Sequence, residues 1–327
     1  MSRPASRSEV LKRFRNSIHA NQVIIGSGAG IYRQVSVKDS LVAYFLLALG
    51  VGISAKLIKG GGADFIALYN SGLYRVHGLG SLAGLMPYGD ANAIVCDMVR
   101  PHDILYAMPT RTAIQQILTI QGHPKAQTIL PQIKLLPVIA GVCATDPFRD
   151  LSVFLPHLRS LGFTGIQNFP TVGLIDGNFR QALEETGMSY NKEVEMIALA
   201  DSLDFLTIPY VFTVEQAVDM TNAGADVIVV HFELTNQGSI GAKNAISIDD
   251  AAKVAQEIRD AVVNIREDII VLVHGGPIST LETFKDIMKD TRGVHGLLGA
   301  STFERIPLDT TLPGTVKEFK ELEVEKN

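Results

Sequence analysis

Eight short apolar runs, most preceded by a helical pattern and followed by a polar or Gly-rich stretch, constrain this 327-residue chain more than any other feature. They are QVIIG (22–26), DFIALYN (64–70), LLPVIAGV (135–142), GIQNFP (165–170), DFLTIP (204–209), DVIVVHF (226–232), IIVLVHGG (269–276) and GVHGLLGA (293–300). Runs without sustained alternation read as parallel strands covered on both faces. GGGAD (60–64) and NAGAD (222–226) precede two of them; a glycine there ends a helix and a short turn feeds the strand. Eight βα units close naturally into a (β/α)8 TIM barrel, a single domain over 1–327. An open doubly wound sheet is the alternative, but GSGAG (26–30) is not its GxGxxG fingerprint.

Composition supports an enzyme-like α/β chain and removes other classes. Twenty-nine Lys and Arg against 34 Asp and Glu give a net charge of −5, which argues against a nucleic-acid binder. Charged residues are only 19% and mean hydropathy is +0.20, so a large core is expected. Trp is absent and aromatics are 7%, too few for base-stacking platforms. Cys96 and Cys143 form no CxxC pair and fit a reducing, cytoplasmic setting. The apolar stretch Leu41 to Ile53 is too short to span a bilayer, so no membrane association is expected. The basic start MSRPASRSEVLKRFRNSI reads either as a presequence or as a short helix capped by Ser8, with Val10, Leu11, Phe14 and Ile18 covering one end of the domain.

In a barrel, chemistry sits beyond the C-terminal strand ends. Gly26, Gly28 and Gly30 follow the first run and either let a backbone approach a ligand or make a tight turn. Asn70, Ser71, Tyr74 and Arg75 follow the second; Arg suits a carboxylate or phosphate. Asp146 follows the third and reads as a Mg²⁺ ligand, a base, or a helix cap before Pro147. Cys143 reads as a nucleophile or, more often for its type, a small buried side chain. Asn168, Thr171 and Asp176 belong to a long loop after the fourth run, where Glu184 and Glu185 read as surface charge. Tyr210 follows the fifth run, and His231 ends the sixth as an acid/base or a hydrogen-bonded structural residue, with Glu233 near enough to orient it. HGGP (274–277) and GASTFER (299–305) place Gly275, Gly276, Gly299 and Ser301 where barrels commonly bind an anion.

These loops together resemble the phosphoenolpyruvate hydrolase-like proteins of bacteria, fungi and plants. The matching segments are IIGSGAG, ISAKLIKGGGADFIALYNSGLYR, GSLAGLMPYGDANAIV, GVCATDPF, GIQNFPTVGLIDGNFRQALEETGMSY, VIVVHFELT, GSIGAK and HGGP. The resemblance implies the fold of the phosphoenolpyruvate mutase and isocitrate lyase group, whose members act with Mg²⁺ on 2-oxo-acid-like substrates. The implied activity is a lyase or hydrolase on a small anionic substrate, a 2-oxo acid or enol phosphate. Asp146 or Asp176 would hold the metal. His231 would move the proton, with Asp146 and Tyr210 also catalytic. Arg75 and the loops at 275–276 and 299–301 would hold the anion, joined by Gly28, Asn70, Ser71, Asn168 and Thr171. A plant member that looks like an inhibitor of viral RNA replication implies the alternative, a binding or regulatory barrel without turnover. A homo-oligomer is expected.

Two segments depart from the family pattern. Removing 31–50 joins GSGAG to VGISAK, and removing 99–125 joins AIVCDM to AQTILPQI; both joins look like the family. Both segments can be encoded with GT near the start and AG near the end. They read as retained introns of a fungal-type gene or as surface insertions.

Overall fold

A computed structural model describes residues 5–20, 22–29, 52–99 and 136–320. The two atypical segments lie outside the described residues, except for Val99 at the end of the helix Ala91–Val99. Gly30 also lies outside them.

The strands are β1 Ile24–Ala29, β2 Phe65–Leu68, β3 Val138–Val142, β4 Gly165–Asn168, β5 in two segments (Leu206–Thr207 and Tyr210–Val211), β6 Val227–His231, β7 Ile270–His274 and β8 Gly296–Gly299. Each coincides with one of the eight apolar runs; β1 and the second half of β5 reach a few residues further. All pair in parallel with their neighbours in the chain, and β8 pairs back onto β1 through Ile24 and Gly296. The first β5 segment pairs with β4 and the second with β6. Pro209, which has no amide to donate, separates the two. The ladder crosses this gap on both sides: the Ile208 amide donates to Ile166 at 3.0 Å, and the Val229 amide donates to Pro209 at 2.9 Å. The two segments act as one strand, so the sheet is a closed eight-stranded ring.

Side chains alternate between two cores, as the strand period of two requires. Leu206, Ile208, Val227, Val229, Ile270 and Leu272 fill the barrel interior. Ile228, Val230, Val271 and Val273 face outward, in one cluster with Ala217 and Met220 of the helix Val214–Asn222 and Ala255 and Ile258 of the helix Ile248–Val263. Gly26 of β1 leaves no room for a Cβ against the Phe65 ring, so a glycine there admits that ring to the interior.

The helix Arg7–His19 closes the N-terminal end of the barrel. Val10 and Phe14 are buried in the interior cluster, Leu11 and Ile18 pack partly against it, and the Phe14 ring lies 5.8 Å from Phe65. The cap is Ser6 rather than Ser8: Ser6 and Glu9 exchange side-chain-to-backbone hydrogen bonds in a capping box, and only Ser6 has a Glu three residues on. Arg7 ties this helix to Asp201 and Asp226 at 2.6 and 2.8 Å. No helix among the described residues is long and apolar enough to cross a membrane.

Candidate functional site

The inward series of β2, β5, β6 and β7 end in a polar layer at the C-terminal mouth. Tyr210 continues Leu206 and Ile208, His231 continues Val227 and Val229, and His274 continues Ile270 and Leu272. Tyr69 continues Phe65 and Ala67 in the same way. Above this layer lies a narrow pocket open to solvent, with about 30 Å³ of free space, lined also by Ser71, Arg75, Ser81, Glu233 and Ser301.

Tyr210, His231 and His274 form a tight triangle. Their ring centroids lie 4.7 Å (Tyr210–His231), 4.8 Å (Tyr210–His274) and 4.5 Å (His231–His274) apart. His274 Nδ1 lies 2.5 Å from the Leu298 carbonyl and 3.4 Å from the Tyr210 hydroxyl. A carbonyl only accepts, so the proton sits on Nδ1 and Nε2 is left as an acceptor. Burial lowers the His274 pKa to about 4, against a partial compensation from the Leu298 bond. Burial, then neighbouring His274, pushes His231 well below the usual imidazole value. Both rings are therefore neutral at pH 7. Burial and the adjacent Tyr69 push the Tyr210 phenol well above its usual value, so it remains a proton donor.

Arg75 sits beside this triangle on the helix Ser71–Val76, its side chain only 3% exposed. It donates to Ser71 Oγ at 3.2 Å, Ser81 Oγ at 3.3 Å and Glu304 Oε2 at 3.0 Å. Its Nε is buried without a partner, as is His231 Nδ1. Such orphaned groups carry a desolvation cost unless a ligand completes them.

In the other half of the mouth, Glu193, Asn168 and Thr171 are paired with one another. Glu193, on the helix Tyr190–Ser202, is fully buried and accepts from Asn168 Nδ2 (2.6 Å), Thr171 Oγ1 (2.7 Å) and the Val172 amide (2.8 Å). Burial raises its pKa to about 7 despite these bonds. Asn168 also donates to the Tyr210 carbonyl at 3.1 Å and accepts from the Tyr210 amide at 2.6 Å. The Tyr190 hydroxyl donates to the same carbonyl at 2.6 Å. Glu193, Asn168 and Tyr190 thus hold the backbone of Tyr210.

The expected site residues separate accordingly. Ser71, Arg75, Tyr210, His231 and Ser301 line one pocket. Asn70 is buried under the neighbouring loop, donating to the Gly84 carbonyl at 2.8 Å. Gly28 lies in β1 opposite Ala67. Gly275 and Gly276 take φ of +77° and +54° as the chain crosses Glu233 and Phe232, a path only glycine follows without strain. Gly299 packs under the Phe303 ring. Asn168 and Thr171 point to Glu193 on the helix layer, since Asn168 shares the outward parity of Ile166.

Asp146 does not line the pocket. It accepts from Phe148 N, Asn92 Nδ2 and Arg149 Nη1, which outweigh burial and hold its pKa low. The helix cap here is Asp150. Asp176 is exposed at the start of the helix Gly177–Glu185. Burial pushes the Cys143 thiol up, which disfavours a nucleophile. The donor set does not fit Mg²⁺: the only carboxylate among the described lining residues is the exposed Glu233, and a hard cation takes several oxygens. No group of three or more His, Cys, Asp or Glu among the described residues is gathered for a metal.

Sequence reading missed His274, Tyr69, Glu193 and Glu304. The first two were within reach, because strand parity alone places them on the inward face with His231.

The chain is 46% identical over 319 residues to the ToMV resistance protein Tm-1(GCR237) of Solanum lycopersicum, covering 98% of this chain and 36% of that protein. It spans little more than a third of that relative's length. Among solved structures it is similar to oxaloacetate acetylhydrolase in complex with the product oxalate (14% identity, TM-score 0.49, 100% of this chain and 91% of that one). It is also similar to 2,3-dimethylmalate lyase (13% identity, TM-score 0.48, 99% and 92% covered). The model of the phosphoenolpyruvate hydrolase-like family matches residues 32–121 and 108–322. With that match over most of its length, this chain belongs to the phosphoenolpyruvate hydrolase-like family.

Proposed function

We propose that the barrel is a lyase or hydrolase acting on a small anionic 2-oxo acid or enol phosphate at the Arg75–Tyr210 mouth. The observation that carries this reading is the pair of orphaned buried nitrogens, Arg75 Nε and His231 Nδ1, in one cavity with a protonated phenol. Arg75, Ser71 and Ser81 would hold the substrate carboxylate through charge-assisted bonds. The Tyr210 hydroxyl would donate to the oxygen that gains charge as an enolate forms. Neutral His231 would take or return the proton, with His274 packed against it as the second base. The described donors do not suit Mg²⁺, and these residues act without it in this reading.

Calorimetry and turnover with pyruvate, oxaloacetate and phosphoenolpyruvate test this. Binding of at least one acid, lost in Arg75→Ala, and turnover lost in Tyr210→Phe are expected. Absence of both binding and turnover would replace the enzyme with a regulatory barrel. That the tomato relative is a resistance protein favours the second reading.

A further inference from the structure

We infer that Glu304 sets the charge class of the ligand, restricting the mouth to singly charged acids and disfavouring phosphate dianions. The inference rests on the anion-binding reading above and narrows it to the 2-oxo acid branch.

Arg75 is the only Lys or Arg among the described residues lining the pocket. Glu304 already neutralises it at 3.0 Å, with side chains 3% and 10% exposed, so solvent screens the pair little. Glu304 is held in place by its own backbone, its amide donating to the Ala300 carbonyl at 3.0 Å directly after β8. The next cation, Arg305, is committed to Asp309 at 2.9 Å and to the Gln237 carbonyl at 2.8 Å. Glu233 adds a second negative charge to the lining. The two histidines add no positive charge, because both are neutral.

The guanidinium keeps one nitrogen without any partner. Nη1 serves Ser71 and Ser81, Nη2 serves Glu304, and Nε has no partner. One carboxylate oxygen can complete Nε while Glu304 stays. A phosphate dianion would enter a buried site with no uncompensated cation, where the desolvation cost is not repaid.

The test is isothermal titration of the purified protein at pH 7.5 with pyruvate, phosphoenolpyruvate and inorganic phosphate, repeated on Glu304→Gln, which keeps the side-chain shape. Wild type should bind pyruvate at least about tenfold more tightly than either phosphate compound. Glu304→Gln should tighten both phosphate compounds about tenfold or more and change pyruvate by less than about threefold. Wild type binding phosphoenolpyruvate as tightly as pyruvate, with both lost in Arg75→Ala, overturns the inference and leaves the anion site standing. A uniform effect of Glu304→Gln on all three ligands also overturns it. No binding of any ligand by either protein overturns the inference and the anion-binding reading together.

Discussion

The two halves of the barrel mouth look alike in sequence and differ in chemistry. After β3 and β4 the chain presents Asp146, Asn168 and Thr171; after β2, β6 and β7 it presents Arg75, His231 and His274. In the first half each of these side chains has hydrogen-bond partners within the protein, Asp146 with three donors and Asn168 and Thr171 on Glu193. In the second half Arg75 Nε and His231 Nδ1 are buried with none. Saturated groups stabilise loops and gain nothing from a ligand. Orphaned groups have paid desolvation in advance and recover it when a ligand binds. Density of polar residues therefore locates a mouth, while unmet hydrogen-bonding capacity locates the site within it.

That contrast ranks the effects of substitution. The largest belongs to Tyr210→Phe and His231→Gln. Each should lower turnover of a bound 2-oxo acid by roughly 10²–10⁴-fold with little change in affinity, read by steady-state kinetics. Next comes Arg75→Lys, which cannot fill the same fork; calorimetry should show ligand affinity falling about 10–100-fold. A fully active Tyr210→Phe variant would break the contrast at its strongest point.

Effects in the saturated half should appear in stability. Glu193→Gln leaves donors facing donors at Asn168, and should cost about 1–3 kcal/mol in denaturant unfolding. Its pH dependence has a definite sign. Burial raises the folded pKa from 4.5 to about 7, so the folded state holds a proton that the unfolded chain has released. Stability from this group is full below about 4.5 and declines as pH rises to about 7. Wild type should therefore lose melting temperature over that window more steeply than Glu193→Gln. The smallest effect is expected for Asp146→Asn: about 1 kcal/mol of stability and less than a threefold change in ligand affinity.

The scaffold was legible because burial on both faces leaves continuous apolar runs, and all eight became strands. Tyr210 and His231 were legible because they stand at strand ends, and Arg75 because it lies in the polar stretch that follows β2. Asn168 was misleading: its position after β4 is right, but outward parity turns it to the helix layer. Glu193 and Glu304 left no local signal, since each acts on partners at least 21 residues away in the chain. Asp146 before Pro147 looked like a cap or a ligand, and which donors it meets depends on Asn92 and Arg149, which only folding brings together.

The central claim is that ligand binds on the orphaned half of the mouth. The most direct test is a crystal structure of the protein with pyruvate. The account predicts the carboxylate on Arg75 Nε and the serines, with the keto oxygen in hydrogen-bond reach of the Tyr210 hydroxyl. Pyruvate bound through a cation at Asp146 or Asp176, with Arg75 untouched, would contradict it.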